Sequence, residues 1–323
     1  MSNITIASRF EPEKVTMRDT YCSTLMRLAE ENSKIVVLDA DLINAVGMAP
    51  FAAKFPERTF DVGIQEANMI GVAAGLSATG QIPFAHSFAP FATRRCFDQI
   101  FLSCAYAKLN VRIIGSDPGI TAAFNGGTHM PFEDMGILRN VPGITILEPV
   151  DDAMLEDLVE QTASLYGVFY IRMLRKNAVK IYEPGSKFEI GRGVVLREGE
   201  DVSIIATGIM VKEALDAAEI LANDGISARV VNIFTLKPLD RELVAACAAK
   251  TGAIVTAENH SIINGLGSAV AEVIAEGAPA QLERVGVRDE FGEVGPVDYL
   301  RKRFKLNAEE IAARAKMAIS RKN

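Results

Sequence analysis

Between Glu66 and Arg94 the chain carries no Asp, Glu, Lys or Arg. A stretch that long without a charge belongs in a membrane or in the interior of a protein. Gly71, Gly75, Gly80, Gln81, Pro83, His86 and Ser87 interrupt it, so it is no continuous apolar span, and Gly-Gln-Ile-Pro at 80–83 is a turn signal. The stretch therefore reads as a helix of small residues followed by a strand, both deep in a water-soluble core.

Around it, apolar strand-like runs alternate with amphipathic helical stretches. Ile35–Leu38, Ile82–Ala85, Val111–Ile114, Thr145–Ile146 and Val168–Ile171 are the strand candidates of the first half. Phe97, Ile100, Phe101 and Cys104 fall at helical spacing within 93–109, which predicts an amphipathic helix with its aromatics in the core. A polar, Pro- and Gly-containing stretch from Tyr182 to Gly193 precedes a second alternation. There the strands are expected at Val202–Ala206, Ala228–Asn232 and Ala253–Ala257, and the helices at Ile209–Leu221, Asp240–Thr251 and Leu266–Glu276. The fold class is α/β: a parallel-sheet domain over 1–185, a linker over 186–192 and a smaller α/β domain over 193–323. With 323 residues and 49 % apolar composition, two cores are within reach.

A net charge of −7 leaves no basic surplus for nucleic acid or an anionic membrane surface. The four cysteines form no C-x-x-C pair and no signal-like segment precedes Met17, so a reduced, cytoplasmic setting is expected.

Three segments carry chemistry. Glu66 opens the small-residue helix in D-V-G-I-Q-E-A-N-M-I-G-V-A-A-G. Buried without a charged neighbour in sequence, it could act as an acid or hydrogen-bond donor, or simply favour the helix dipole. Ser87–Phe91 (S-F-A-P-F) places Phe88 and Phe91 just after the strand, and Gly126–Asp134 (G-G-T-H-M-P-F-E-D) puts His129 in a loop that can aim its imidazole.

In this order and spacing the three segments resemble the pyrimidine-binding domain of transketolases. S-I-I-A-T-G-I-M-V-K-E-A-L, A-R-V-V-N-I-F-T-L-K-P-L-D and T-A-E-N-H-S-I-I-N-G-L-G-S-A-V-A-E resemble that family's C-terminal domain. The resemblance covers about Thr16 to Ile311. It implies a thiamine diphosphate enzyme that moves a two-carbon ketol unit between sugar phosphates. Glu66 would bond to N1′ of the aminopyrimidine, favouring the tautomer whose exocyclic nitrogen takes a proton from the thiazolium carbon. Phe88 and Phe91 would wall the pyrimidine, and Asp41 would lie near the thiamine. Arg18 and Arg175 would hold the sugar's phosphate, and His129 a substrate hydroxyl or carbonyl. His86 reads as a core residue.

Two features depart from the family. The chain has no Gly-Asp-Gly, the segment with which the family anchors magnesium and diphosphate, nor room for a third α/β domain before Thr16. The resemblance then implies a partner, an N-terminal diphosphate-binding subunit that holds the magnesium, in an α2β2 heterotetramer. And where transketolases read H-x-x-I-x-x-G-E-D-G-x-T-H, this chain has Asp117, Phe124 and Asn125 at the histidine, glutamate and aspartate. With Asn125 left to read the sugar by its amide, the expected donor is a phosphorylated or otherwise anionic ketose that differs from xylulose 5-phosphate near C3 or C4. Two other readings are the beta subunit of a 2-oxo acid dehydrogenase, against which the T-H-M-P loop speaks, and a non-catalytic homologue.

Overall fold

A computed structural model describes residues 3–322; Met1, Ser2 and Asn323, which the expected domains include, lie outside the described residues. The chain divides into two compact units. One runs to Pro118 and resumes over Ile137–Phe188, and the other comprises Gly119–Gly136 and the chain from Glu189 on. Residues 119–136, placed by sequence in the first domain, cluster with the second.

In the first unit the strands are β1 (Ile35–Asp39), β2 (Thr59–Asp61), β3 (Ile82–Phe88), β4 (Val111–Ser116), β5 (Ile144–Leu147) and β6 (Val168–Met173). They lie in the order β5-β6-β4-β3-β1-β2 and every neighbouring pair is parallel. All residues of β1, β4 and β6 are buried, as expected of strands covered on both faces. The uncharged stretch forms the helix Glu66–Ala78, turns at Gly80 with φ 90° and continues as β3. Met17–Glu31 packs on the helix Asp152–Ser164, while Glu66–Ala78 packs on β3 and on Gln99–Tyr106. That last segment, where an amphipathic helix is expected, is a π-helix, and it leaves Leu102 and Tyr106 exposed. β2 was missed because three residues, two of them exposed, carry no periodic signal.

Two buried polar side chains tie this unit together. Arg112 on β4 donates from Nε to the carbonyl of Thr162, 2.7 Å away, and from its other nitrogens to Asn110, Thr162 and Leu165 carbonyls. Strand and helix end are thereby cross-linked, and burial pulls the guanidinium down to about 10. His86 on β3 must carry its proton on Nδ1, because the Leu38 carbonyl 3.1 Å away can only accept. Its Nε2 then accepts from the Tyr21 hydroxyl at 2.5 Å. Burial pulls the imidazole down to about 4, so it stays neutral as a core residue.

The second unit contains β7 (Val194–Arg197), β8 (Val202–Ala206), β9 (Ala228–Asn232), the short β10 (Thr235–Lys237), β11 (Ala253–Ser261) and β12 (Gln281–Val287). Its sheet runs β12-β11-β8-β9-β7, parallel except for the antiparallel edge strand β7. Asp240 caps Arg241–Thr251 by accepting from the Leu243 amide at 3.0 Å, and Asn307 caps Ala308–Ser320 through Glu310 at 3.1 Å. Among the described residues no helix is long and apolar enough to cross a membrane. The four cysteines are free and buried.

Candidate active site

In a parallel sheet, ligands gather beyond the carboxyl ends of the strands, where the strand order turns back on itself. In the first unit the chain goes from β1 outward to β2 and returns on the other side of β1 as β3. The candidate residues leave the sheet at that rim: Asp41 after β1, Glu66 after β2, Phe88 and Phe91 at and after β3, Asp117 after β4 and Arg175 after β6. Asn125 and His129 belong to the second unit.

Glu66 is 2 % exposed at the first position of its helix. Sequence left it without a charged neighbour, and the structure corrects this. Arg95, 29 residues on, donates from Nη1 to Glu66 Oε2 at 2.7 Å, and the Ser87 hydroxyl lies 3.4 Å from Oε1. The same guanidinium lies over the Phe91 ring, 4.0 Å from its centre. Carboxylate, planar cation and aromatic face thus form one stack. Arg95 went unnoticed in the sequence, although with Arg94 it ends the uncharged stretch that Glu66 begins. The glycine face of this helix meets none of the described residues: a Cβ added at Gly71 or Gly75 would find nothing within 4 Å.

A second stack lies beside it. Phe88 and Phe91 have ring centres 6.2 Å apart, and the Arg175 guanidinium lies 4.6 Å over Phe88. Arg175 Nε donates to Asp117 Oδ2 at 2.5 Å. Arg18 donates from Nη1 to the Ala45 carbonyl at 3.2 Å, while its buried Nε has no hydrogen-bond partner and stands 3.7 Å from the Asp19 carboxylate.

Asp41 sits in a left-handed turn, φ 63°, with its amide bonded to Asp61 Oδ1 at 3.0 Å. Its side chain is not the cap of this turn. Asp39 takes that part, its Oδ1 accepting from the Leu42 amide while Oδ2 is buried without a partner. Burial pushes the Asp39 carboxyl up to about 6; the Leu42 amide opposes the shift and the Asp61 and Asp41 carboxylates add to it. A carboxyl raised in the folded state costs stability when it ionises, a cost complete above about pH 6 and absent below about pH 4. Asp39→Asn, which keeps the oxygen for Leu42, is expected to stabilise the chain by about 1–2 kcal/mol at pH 8. Thermal melts from pH 8 to 4 should show that gain shrinking to nothing; a gain independent of pH would refute it.

In the second unit, the end of β11 anchors the loop that carries Asn125 and His129. Asn259 Oδ1 accepts from the Ile120 amide at 3.0 Å, His260 Nε2 from the Gly136 amide at 3.2 Å, and the Phe132 carbonyl from the Ser261 amide at 2.8 Å. These bonds are why residues 119–136 group with this unit, and they make His260 a buried structural residue. The glycines of G-G-T-H answer a packing demand: a Cβ at Gly127 would stand 2.2 Å from the Gly292 carbonyl oxygen. Ala123 is forced to φ 50°, and Phe124 and Asn125 are exposed beside it. His129 Nδ1 lies 2.9 Å from the Thr128 hydroxyl.

Residues 13–180 match the transketolase pyrimidine-binding domain, and residues 191–311 match the transketolase C-terminal domain. The chain belongs to the transketolase family. It is 55 % identical over 311 residues to a 6-deoxy-6-sulfo-D-fructose transketolase subunit of Clostridium sp. (strain MSTE9), covering 96 % of this chain and 97 % of that one. It is 45 % identical over 301 residues to a putative transketolase C-terminal section of Methanocaldococcus jannaschii (strain ATCC 43067), covering 92 % and 94 %. Among solved structures, a split gene transketolase, described as an inactive beta4 tetramer, superposes with a TM-score of 0.89 at 45 % identity, covering 96 % of this chain and all of that one. The chain is thus a transketolase subunit of the split kind, a transferase by family, and the 2-oxo acid dehydrogenase reading is less supported.

The transketolase family works with thiamine diphosphate, whose aminopyrimidine needs a flat face to stack on and a carboxylate at a ring nitrogen. Phe91 and Glu66 present that pair, and the planar guanidinium of Arg95 already spans them. The residues present fit the pyrimidine half of the cofactor. Among the described residues no group of three or more His, Cys, Asp or Glu could hold a metal ion.

Proposed function

We propose that this chain activates thiamine diphosphate in a two-subunit, cytoplasmic transketolase, and that a second subunit supplies the diphosphate and magnesium site in an α2β2 heterotetramer. The observation that carries the reading is the buried Glu66 carboxylate, set against the Phe91 face with a displaceable planar cation between them. The cofactor, when bound, supplies the carbon that accepts and passes on the two-carbon unit. Glu66 holds the proton at the pyrimidine's N1′, a role that asks the carboxylate to release Arg95, whose side chain is 44 % exposed and can turn to solvent. Phe88 and Phe91 wall the ring, with Asp41 near the thiamine. Arg18 and Arg175 take the anionic end of the sugar, while Asn125 and His129 bind its hydroxyl and carbonyl oxygens. The exposed, uncharged Gly71 and Gly75, and an Ile64 just before the helix that is 68 % exposed, support a partner subunit on this helix.

The donor is a ketose with an anion at its far end, a sugar phosphate by family. The sulfonated sugar in the name of the Clostridium relative supports a 6-sulfonate as the first to try. The test is reconstitution with the diphosphate-binding subunit, thiamine diphosphate and magnesium. Xylulose 5-phosphate, fructose 6-phosphate and 6-deoxy-6-sulfofructose are each offered with an aldose acceptor. A new ketose two carbons longer than the acceptor is the expected product, and its absence with every donor would sink the reading.

A further inference from the structure

Arg175 does not face the anion subsite as a lone cation. Its Nε donates to Asp117 Oδ2 at 2.5 Å and its Nη2 pairs with the same oxygen. Asp117 follows β4 and is 3 % exposed, with its amide bonded to the Met173 carbonyl at 3.2 Å. It is therefore wedged between the ends of two paired strands, where Ser116 lies opposite Met173. The Met17 amide bonds to the Lys176 carbonyl at 3.1 Å, which brings the backbone at Arg18 alongside that at Arg175. The guanidinium of Arg175 is thus already paired with a buried carboxylate, while that of Arg18 reaches the Ala45 carbonyl. The half-exposed Asp19 places a second carboxylate 3.7 Å from the Arg18 Nε.

We propose that Asp117 is a specificity-determining residue that sets the charge of the donor's anion, favouring a singly charged sulfonate over a doubly charged phosphate. This rests on the reading of the chain as a ketol transferase for anionic ketoses. Both anions offer three oxygens in tetrahedral array, so the guanidinium forks meet either alike. They differ in charge, because a phosphate monoester carries about −1.5 to −2 at pH 7 and a sulfonate a single charge. An anion taken by Arg175 would share that guanidinium with the Asp117 carboxylate, which repels the second charge, and the burial of Asp117 limits screening by salt. Asp117 has φ 56°, a conformation that asparagine also accepts. Asp117→Asn therefore removes the charge and spares the turn.

The experiment uses the complex of this chain with its diphosphate-binding partner, in wild-type and Asp117→Asn forms. Calorimetry with methyl phosphate and methanesulfonate reads the preference without turnover. The substitution should tighten methyl phosphate about tenfold more than methanesulfonate. In turnover, kcat/KM for fructose 6-phosphate should rise about tenfold relative to 6-deoxy-6-sulfofructose. The wild type should also use the phosphate donor relatively better as pH falls from 8 to 6 and the second phosphate charge is lost. A binding ratio unchanged by the substitution overturns the role of Asp117 even where ketol transfer proceeds. The expected ratio without ketol transfer from any donor leaves Asp117 standing and removes the transferase reading on which the donor was named.

Discussion

Glu66→Gln is expected to leave the fold intact and to slow proton–deuterium exchange at the thiazolium carbon of the bound cofactor by about 10²–10⁴-fold in the assembled enzyme. The amide is nearly isosteric and still offers an oxygen toward Ser87, but it cannot hold an acidic proton at N1′. Loss of the ion pair to Arg95 costs little, about 1 kcal/mol or less, because the guanidinium at the other end is half in water. Exchange is the informative readout, since it precedes sugar binding and separates activation from donor recognition. Thiamine diphosphate affinity, measured beside it, divides two roles. Weakened binding with ordinary exchange would make Glu66 an anchor only, and wild-type values in both would remove it from the mechanism.

The isolated chain is expected to bind thiamine diphosphate negligibly and to show no turnover, with binding and activity appearing together when the diphosphate-binding subunit is added. The residues that fit the pyrimidine are here, but most of the cofactor's charge lies in its diphosphate, which needs magnesium and glycine-rich backbone amides. A stacked ring and one carboxylate contribute only a few kcal/mol, which the cost of immobilising the cofactor largely offsets. In the isolated chain Arg95 also keeps its hold on Glu66 and Phe91, so that contact must be broken first. Titration calorimetry with and without the partner decides the matter: tight, magnesium-dependent binding to the chain alone would rule out the split arrangement.

Much of the architecture was legible because it is written in short-range periodicity. Val202–Ala206 and Ala228–Asn232 were expected at their observed bounds, and the charge-free stretch resolved into Glu66–Ala78 and β3 as its small residues and turn signal required. Elements without a strong period escaped notice, among them β2, the edge strand β7 and the two C-terminal helices Val297–Arg303 and Ala308–Ser320. The π-helical form of Gln99–Tyr106 escaped as well, since apolar spacing over so few residues does not separate it from an α-helix.

The sequence by itself determined the α/β class, through periodicity that can be counted along the chain, and the family, through motifs that resemble transketolases, and those motifs singled out Glu66, Phe88, Phe91 and His129 as candidates. Tertiary structure alone decided what those residues touch. Arg95 reaches Glu66 across 29 residues, Arg175 reaches Asp117 across 58, and Asn259 and His260 hold a loop more than a hundred residues earlier. The physical reason is the parallel sheet. Each crossover carries the chain away and back before the next strand end reaches the same rim, so residues distant in sequence become partners there, and no period along the chain records which of them will meet.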